Sequence, residues 1–164
     1  MLSTSLQDAI NEQIRNEISS AYLYLAMSAY CESVNLSGTA HWLRIQWQEE
    51  LSHAMKLIAF VNARGGRVML QSIERPPAEF RSMLDIFQQV LAHEQKVTAL
   101  INGLYDLAVK ERDHAAQVEL QWFVKEQVEE EKNAAEIVAQ LKMVGESGAT
   151  LFMLDRQLGA RAAD

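Results

Sequence analysis

Cysteine is the first thing this chain nearly lacks. It has one cysteine, Cys31, which excludes an intrachain disulfide and a thiolate zinc site; a lone thiol reads as a small buried hydrophobe in a reducing compartment. No apolar run approaches membrane-spanning length, and Met1 to Asp8 has neither the basic nor the apolar region of a secretion signal. Basic charge is scarce: 15 Lys and Arg face 22 Asp and Glu, for a formal net charge of −7, and no basic cluster is present. A nucleic-acid surface is therefore not expected, and cations are the favoured partners. The expected location is cytoplasmic, with neither membrane nor nucleic acid as partner. Proline is nearly absent too: the chain has two, side by side at Pro76-Pro77.

What remains is largely hydrophobic, 49% of 164 residues, enough for one domain, 1–164, with a real core. It is laid out in helical seams with steps of four and three. The first, about 5–33, reads Leu6, Ile10, Gln13, Glu17, Ser20, Tyr24, Met27, Cys31, and Ser5 to Asp8 has the form of a capping box. Val34 to Gly38 interrupts it, and a second helix runs from about 38 to 63, with Leu43, Gln46, Glu50, His53, Leu57 and Phe60 on one face. The connection is so short that the two must be antiparallel. Arg64-Gly65-Gly66 stops the second helix, and 66–81 shows no helical period.

A helix of about 26 residues is roughly 39 Å long, and about 15 extended residues reach roughly 50 Å. That loop can run the length of a bundle, which makes the second and third helices parallel; its extended, partly apolar stretch 68–73 is expected on the outside, against another subunit. The third helix starts at a second box, Ser82 to Asp85, and its seam is Phe87, Val90, Glu94, Val97, Ile101, Leu104, Ala108. After a turn at Glu111-Arg112-Asp113, the fourth seam is Leu120, Phe123, Gln127, Glu130, Ala134, Ile137, Leu141. Gly145 and Gly148 end the bundle, which spans about 5–144. A short apolar fifth helix, about 149–159, is expected to bury Leu151, Phe152, Leu154 and Leu158 against neighbouring subunits, and Gly159 to Asp164 reads as a frayed tail.

Every seam is broken near its middle by polar residues: Glu17, then Glu50 with His53, then Glu94, then Gln127 with Glu130. Mid-helix positions of a bundle meet at one level. Glu50 and His53 are three apart and share a face, and a Glu-x-x-His pair alone is a weak signal. Four breaks at one height are not. Four buried carboxylates cannot all stay ionised without cations, and two divalent metals would neutralise them. Oxygen ligands with one imidazole suit iron, manganese or zinc.

With these residues in place the chain resembles the ferritins, specifically the non-haem bacterial and archaeal type, over essentially its whole length. The resemblance implies an all-α, ferritin-like four-helix bundle with a long crossover and a short fifth helix. It implies one iron on Glu17, Glu50 and His53 and a second on Glu50, Glu94 and Glu130, with Glu50 bridging, Gln127 close by and Tyr24 beside the pair. A third iron site next to the pair matches Glu49, Glu126, Glu129 and Glu130, while Glu131 reads as a solvated face. Bacterioferritins have a second Glu-x-x-His where this chain has Gln127-x-x-Glu130, and a haem-ligating methionine where it has Leu51, so haem is not expected. The two carboxylates that line the threefold channel of animal ferritins are replaced by Gln117 and Leu120, which puts that iron route in doubt. Trp122 could donate an electron, although packing is its plainer role; His41, His93 and His114 read as surface or packing residues.

The activity implied is that of a ferroxidase. Fe(II) is oxidised by O2 or H2O2 at a two-iron centre and stored as an Fe(III) mineral inside a hollow homo-oligomeric shell, twenty-four subunits in the family. The rival is a rubrerythrin-like di-iron peroxidase or oxidase that keeps its irons. Such proteins usually add a second His motif or a cysteine module, and neither is present.

Overall fold

The computed structural model describes residues 1–145 and 147–162. Its helices are α1 (Thr4–Ser33), α2 (Ser37–Ala63), α3 (Met83–Lys110), α4 (His114–Val144) and α5 (Gly148–Leu158), with no strand among the described residues. None of these helices is long and apolar enough to cross a membrane. The four-helix bundle expected from the seams, and the ferritin-like arrangement implied by the resemblance, is what forms: α1 packs on α2, and α3 on α4.

The helix ends follow from local chemistry. Ser3, not Ser5, caps α1, its Oγ accepting from the Leu6 amide at 3.1 Å; Ser5 already lies inside the helix. At α3 the expected pair works, with a small shift. Ser82 Oγ accepts from the Asp85 amide at 3.1 Å, while the Asp85 carboxylate accepts from Arg81 N at 3.1 Å, one residue further back than a capping box reaches. Asp113 caps α4 through the Ala116 amide at 3.0 Å and holds Arg64, from the end of α2, by two bonds of 2.9 and 2.8 Å. Gly145, at φ 65°, closes α4 in a backbone region that favours glycine.

The crossover runs the length of the bundle along α1. It is tied near one end by Asn11, whose side chain donates to Arg67 O at 3.0 Å and accepts from Met69 N at 2.9 Å. It is tied at the other end by Tyr30 Oη, which donates to Phe80 O at 2.6 Å. As expected, α2 and α3 start at the same end. One apolar cluster joins Cys31, Ala40, Phe87 and Leu141, and the other joins Leu6, Val61, Ala108 and Ala116. A large side chain wholly removed from water in such a cluster contributes about 1.5–3 kcal/mol. Phe60 departs from its expected seam position and is only half-buried, its ring carrying the Arg64 guanidinium. Between the two clusters lies the polar layer.

α5 corrects the expectation that its apolar face waits for neighbours. Leu154 and Leu158 are buried in this chain's own core, while Leu151 is half-buried and Phe152 and Met153 point outward. The helix is also latched by Asp155, buried at 5% exposure. Its carboxylate accepts from Gly38 N at 3.0 Å, Thr39 N at 2.7 Å and Thr39 Oγ1 at 2.7 Å. Asp155 thus supplies the cap that α2 lacks locally, since Leu36 at its N-cap has no side-chain hydrogen bond. A β-carbon on Gly38 would sit 1.7 Å from Asp155 O, so only glycine lets the helices meet. The segment after α5 is bonded as far as Arg161, so the expected frayed tail does not begin at Gly159; Ala163 and Asp164 lie outside the described residues.

Candidate metal centre

The seams place Glu17, Glu50, His53, Glu94, Gln127 and Glu130 in one layer, each with 5% exposure or less. Heptad spacing is the cause: residues at a seam face the axis whatever their polarity. Glu17 on α1 and Glu50 and His53 on α2 form the tightest group. His53 Nδ1 lies 3.8 Å from Glu17 Oε2 and 3.6 Å from Glu50 Oε2. Those two oxygens are the only buried side-chain polar atoms among the described residues without a hydrogen-bond partner. An unpartnered buried carboxylate oxygen is costly. Two of them turned toward one imidazole nitrogen are a donor set for a cation, and the chemistry of that set fits a first-row metal such as iron.

Neighbouring amides fix the carboxylates. Gln13 Nε2 donates to Glu17 Oε1 at 2.7 Å, and Gln46 Nε2 donates to Glu130 Oε2 at 2.6 Å. Tyr24 Oη donates to Glu94 Oε1, and Gln127 Nε2 donates to Glu94 Oε2 at 3.2 Å. Gln127 also reaches Glu94 O and Thr98 Oγ1, at 3.2 and 3.3 Å, so its amide is engaged with α3. A second group that could hold a cation brings Glu126 together with His53 and Glu130, their donor atoms all within 4.8 Å of one another.

The charge states follow from burial and crowding. Burial opposes a charged imidazole, yet Glu17 and Glu50 outweigh it and push His53 up to about 11. Burial raises Glu50 well above the carboxylate range, with Glu17 and Glu94 adding to it and His53 opposing. Glu130 is pushed up to about 8 by burial and by Glu94, against the Gln46 hydrogen bond. Burial also raises Glu94, against its bonds from Tyr24 and Gln127. Glu17 goes the other way: burial is outweighed by the proximity of His53 and Glu50 and by the Gln13 amide, and its carboxyl is lowered. Raised carboxyls crowded in one layer are the setting in which a bound cation would favour the ionised forms.

The remaining candidates are spread more widely. Glu49 faces the C-terminal segment, 2.6 Å from Arg161 Nη2, and Glu129 is exposed. Glu131 is not merely solvated, because it accepts from Thr98 Oγ1 across to α3. Trp122 stands edge-on to His53 at 5.3 Å, with Lys56 Nζ 4.7 Å from its ring centre. His93 has partners, Ser20 Oγ at 2.7 Å and the Tyr24 ring at 5.8 Å, and His41 Nε2 sits 2.9 Å from Arg161 O. Sequence reasoning gave no role to Gln13 and Gln46. For Gln13 the usable signal was an amide one turn before Glu17 on the same seam; Gln46 sits one turn before Glu50 but holds Glu130 on α4, a partner no spacing shows. Nothing local marks Asp155 or Arg161, whose partners are more than a hundred residues away in the chain.

A helical bundle whose mid-height polar layer offers carboxylates and one imidazole belongs to a known class. The family described as Ferritin, a ferritin-like domain, matches residues 7–144, and the chain belongs to it. It is 44% identical over 161 residues to the bacterial non-heme ferritin of Bacteroides fragilis, covering 98% of this chain and all of that one. It is 37% identical over 164 residues to the bacterial non-heme ferritin of Staphylococcus haemolyticus, with 100% and 99% covered. Among solved structures it is similar to an open pore ferritin from the hyperthermophilic archaeon Archaeoglobus fulgidus, at TM-score 0.98 and 48% identity, with 99% and 100% of the two chains covered.

Proposed function

We propose that this chain is the subunit of an iron-storage ferritin. As one folded domain it assembles with copies of itself into a hollow cytoplasmic shell of twenty-four, takes up Fe(II), oxidises it, and keeps the Fe(III) as mineral. The observation that carries the reading is the pair of buried, unpartnered oxygens, Glu17 Oε2 and Glu50 Oε2, facing His53 Nδ1.

Iron is the substrate here, and the side chains divide the work. Glu17, Glu50 and His53 hold one Fe(II); Glu50, Glu94 and Glu130 hold the second, with Gln127 adjoining. Two ferrous ions each give up one electron to O2 or H2O2, and hard carboxylate oxygens favour the ferric product. Tyr24 and Gln127 hold the Glu94 carboxylate by its two oxygens. Gln13 holds only Oε1 of Glu17 and so leaves Oε2 to the metal. Burial raises the carboxyls of Glu50 and Glu130, and cation binding favours their ionised form. Only the first position has an imidazole, so the second iron is the more weakly held and the one that moves on. Glu49, Glu126, Glu129 and Glu130 form a third position on its path toward the cavity.

Stopped-flow absorbance on Glu50→Ala tests the reading. Fast Fe(II) oxidation is expected to disappear while thermal stability holds, because removing one buried carboxylate relieves crowding among the others. Wild-type oxidation kinetics in this variant would overturn the site. Light scattering on the wild type tests the shell: a particle near half a megadalton is expected, about 24 times 18.5 kDa, and a dimer would overturn storage.

A further inference from the structure

The segment after α5 reaches the metal layer through a single buried amide. Gln46 is fully buried, and its two ends are differently engaged. Its Oε1 accepts from Arg161 Nη1 at 2.8 Å, and its Nε2 donates to Glu130 Oε2 at 2.6 Å. The second guanidinium nitrogen, Nη2, donates to Glu49 Oε2 at 2.6 Å. Arg161 is itself fixed at two further points. Its guanidinium carbon lies 4.6 Å from the Trp42 ring centre, and its carbonyl oxygen faces His41 Nε2 at 2.9 Å.

An amide is nearly symmetric in shape and not at all in charge. Rotated by half a turn, Gln46 would set its carbonyl against the Glu130 carboxylate and its NH2 against a guanidinium that can only donate. With Arg161 in place that orientation is excluded at both ends. With Arg161 gone, only Glu130 decides, and the buried Oε1 has lost its donor. Such outer partners orient ligating carboxylates and commonly change metal affinity by about 10–100-fold when removed.

We infer that Arg161 is a positioning residue for the second iron position: through Gln46 it aims the Glu130 carboxylate, and through its other arm it holds Glu49 at the edge of the layer. This rests on the reading of Glu130 as a ligand. It makes the docking of α5 and its following turn a condition for a well-formed centre, so a segment outside the four-helix bundle tunes the chemistry inside it.

The experiment is an anaerobic Co(II) titration of the full-length assembled protein, followed by visible absorption, which needs no turnover. Wild type should fill the two central positions in its first two steps, ahead of the third position. Arg161→Met keeps the stem against Trp42 and removes the donors; it should leave the first step within about twofold and weaken the second by about tenfold or more. Arg161→Lys should recover part of that loss. Gln46→Met should reproduce it, and the double variant should add nothing further, because the two act in series. An unchanged second step in Arg161→Met overturns the inference. So does an equal loss in both steps, which would mark the segment as general support for the fold. Glu130→Ala separates the underlying reading: if it keeps a full second step, Glu130 is no ligand and both fall together, whereas loss in Glu130→Ala without loss in Arg161→Met overturns the role of Arg161 alone.

Discussion

Asp155→Ala should loosen two helices at once, although the hydrogen bonds of its carboxylate go to Gly38 and Thr39 and to none of the metal-layer side chains. The carboxylate accepts three hydrogen bonds from the first turn of α2, two of them from the buried amides of Gly38 and Thr39. Alanine leaves both amides without a partner, and no other side chain caps that helix. A buried donor stripped of its partner costs about 1–3 kcal/mol, and an anion at a helix N-terminus contributes about 0.3–1 kcal/mol more. The hydroxyl of Thr39 can rotate to a new partner and is left out. With both amides taken near the low end of that range, a loss of about 3 kcal/mol results, which is on the order of a hundredfold in a local opening equilibrium. Amide hydrogen exchange on the assembled protein reads this directly. Peptides covering 37–42 and α5 should lose protection by that factor while α3 stays unchanged, and Asp155→Asn should fall between. Protection within threefold of wild type would refute the latch, and with it the claim that α5 is docked on its own bundle rather than held by neighbours.

Three other expectations can be checked independently. Arg64 holds the Asp113 carboxyl below its usual range, chiefly by hydrogen bonding. A depressed carboxylate stabilises the fold above its unfolded value of about 3.9 and loses that contribution as pH falls through its folded value. Asp113→Ala should therefore cost about 1–2 kcal/mol at pH 7 and narrow its gap to wild type in acid denaturation; a gap independent of pH would count against the pairing. Burial pushes the Cys31 thiol up to about 12, so the native protein should resist a thiol reagent at pH 8 and react fully once unfolded; prompt reaction in the native state would contradict its buried setting. Replacing Glu49 and Glu126 together by alanine should leave the first burst of Fe(II) oxidation nearly normal and change the rate or oxygen stoichiometry of later additions. Two unchanged phases would reduce those glutamates to a solvated face.

The sequence was most legible where periodicity decides position. Glu17, Glu50, His53, Glu94, Gln127 and Glu130 could be placed in one layer because a seam residue must face the axis, and all six are buried there. The crossover was legible from length alone, since about 15 residues can span the bundle and few other tasks need so many. What escaped notice depends on contacts that no local pattern encodes. Asp155 looks like one charge on a short apolar helix until α5 meets Gly38, and Arg161 like a tail residue until it lies over Trp42. Ser5 to Asp8 has the spacing of a capping box, yet Ser3 caps α1, accepting from the Leu6 amide while its Oγ donates to Glu111, a partner far along the chain. The same limit explains Glu49. Its neighbours along the chain say metal layer, and its position beside Arg161 is set by the fold.

The central claim is that Glu17, Glu50 and His53 face one another to receive iron. Crystals soaked in Fe(II) without oxygen, with anomalous difference maps collected at the iron edge, test it most directly. The account predicts a peak bounded by Glu17 Oε2, Glu50 Oε2 and His53 Nδ1, and a second, weaker one on the Glu130 side of Glu50. Iron found only at surface carboxylates such as Glu129, with the space between Glu17 and His53 bare, would contradict it.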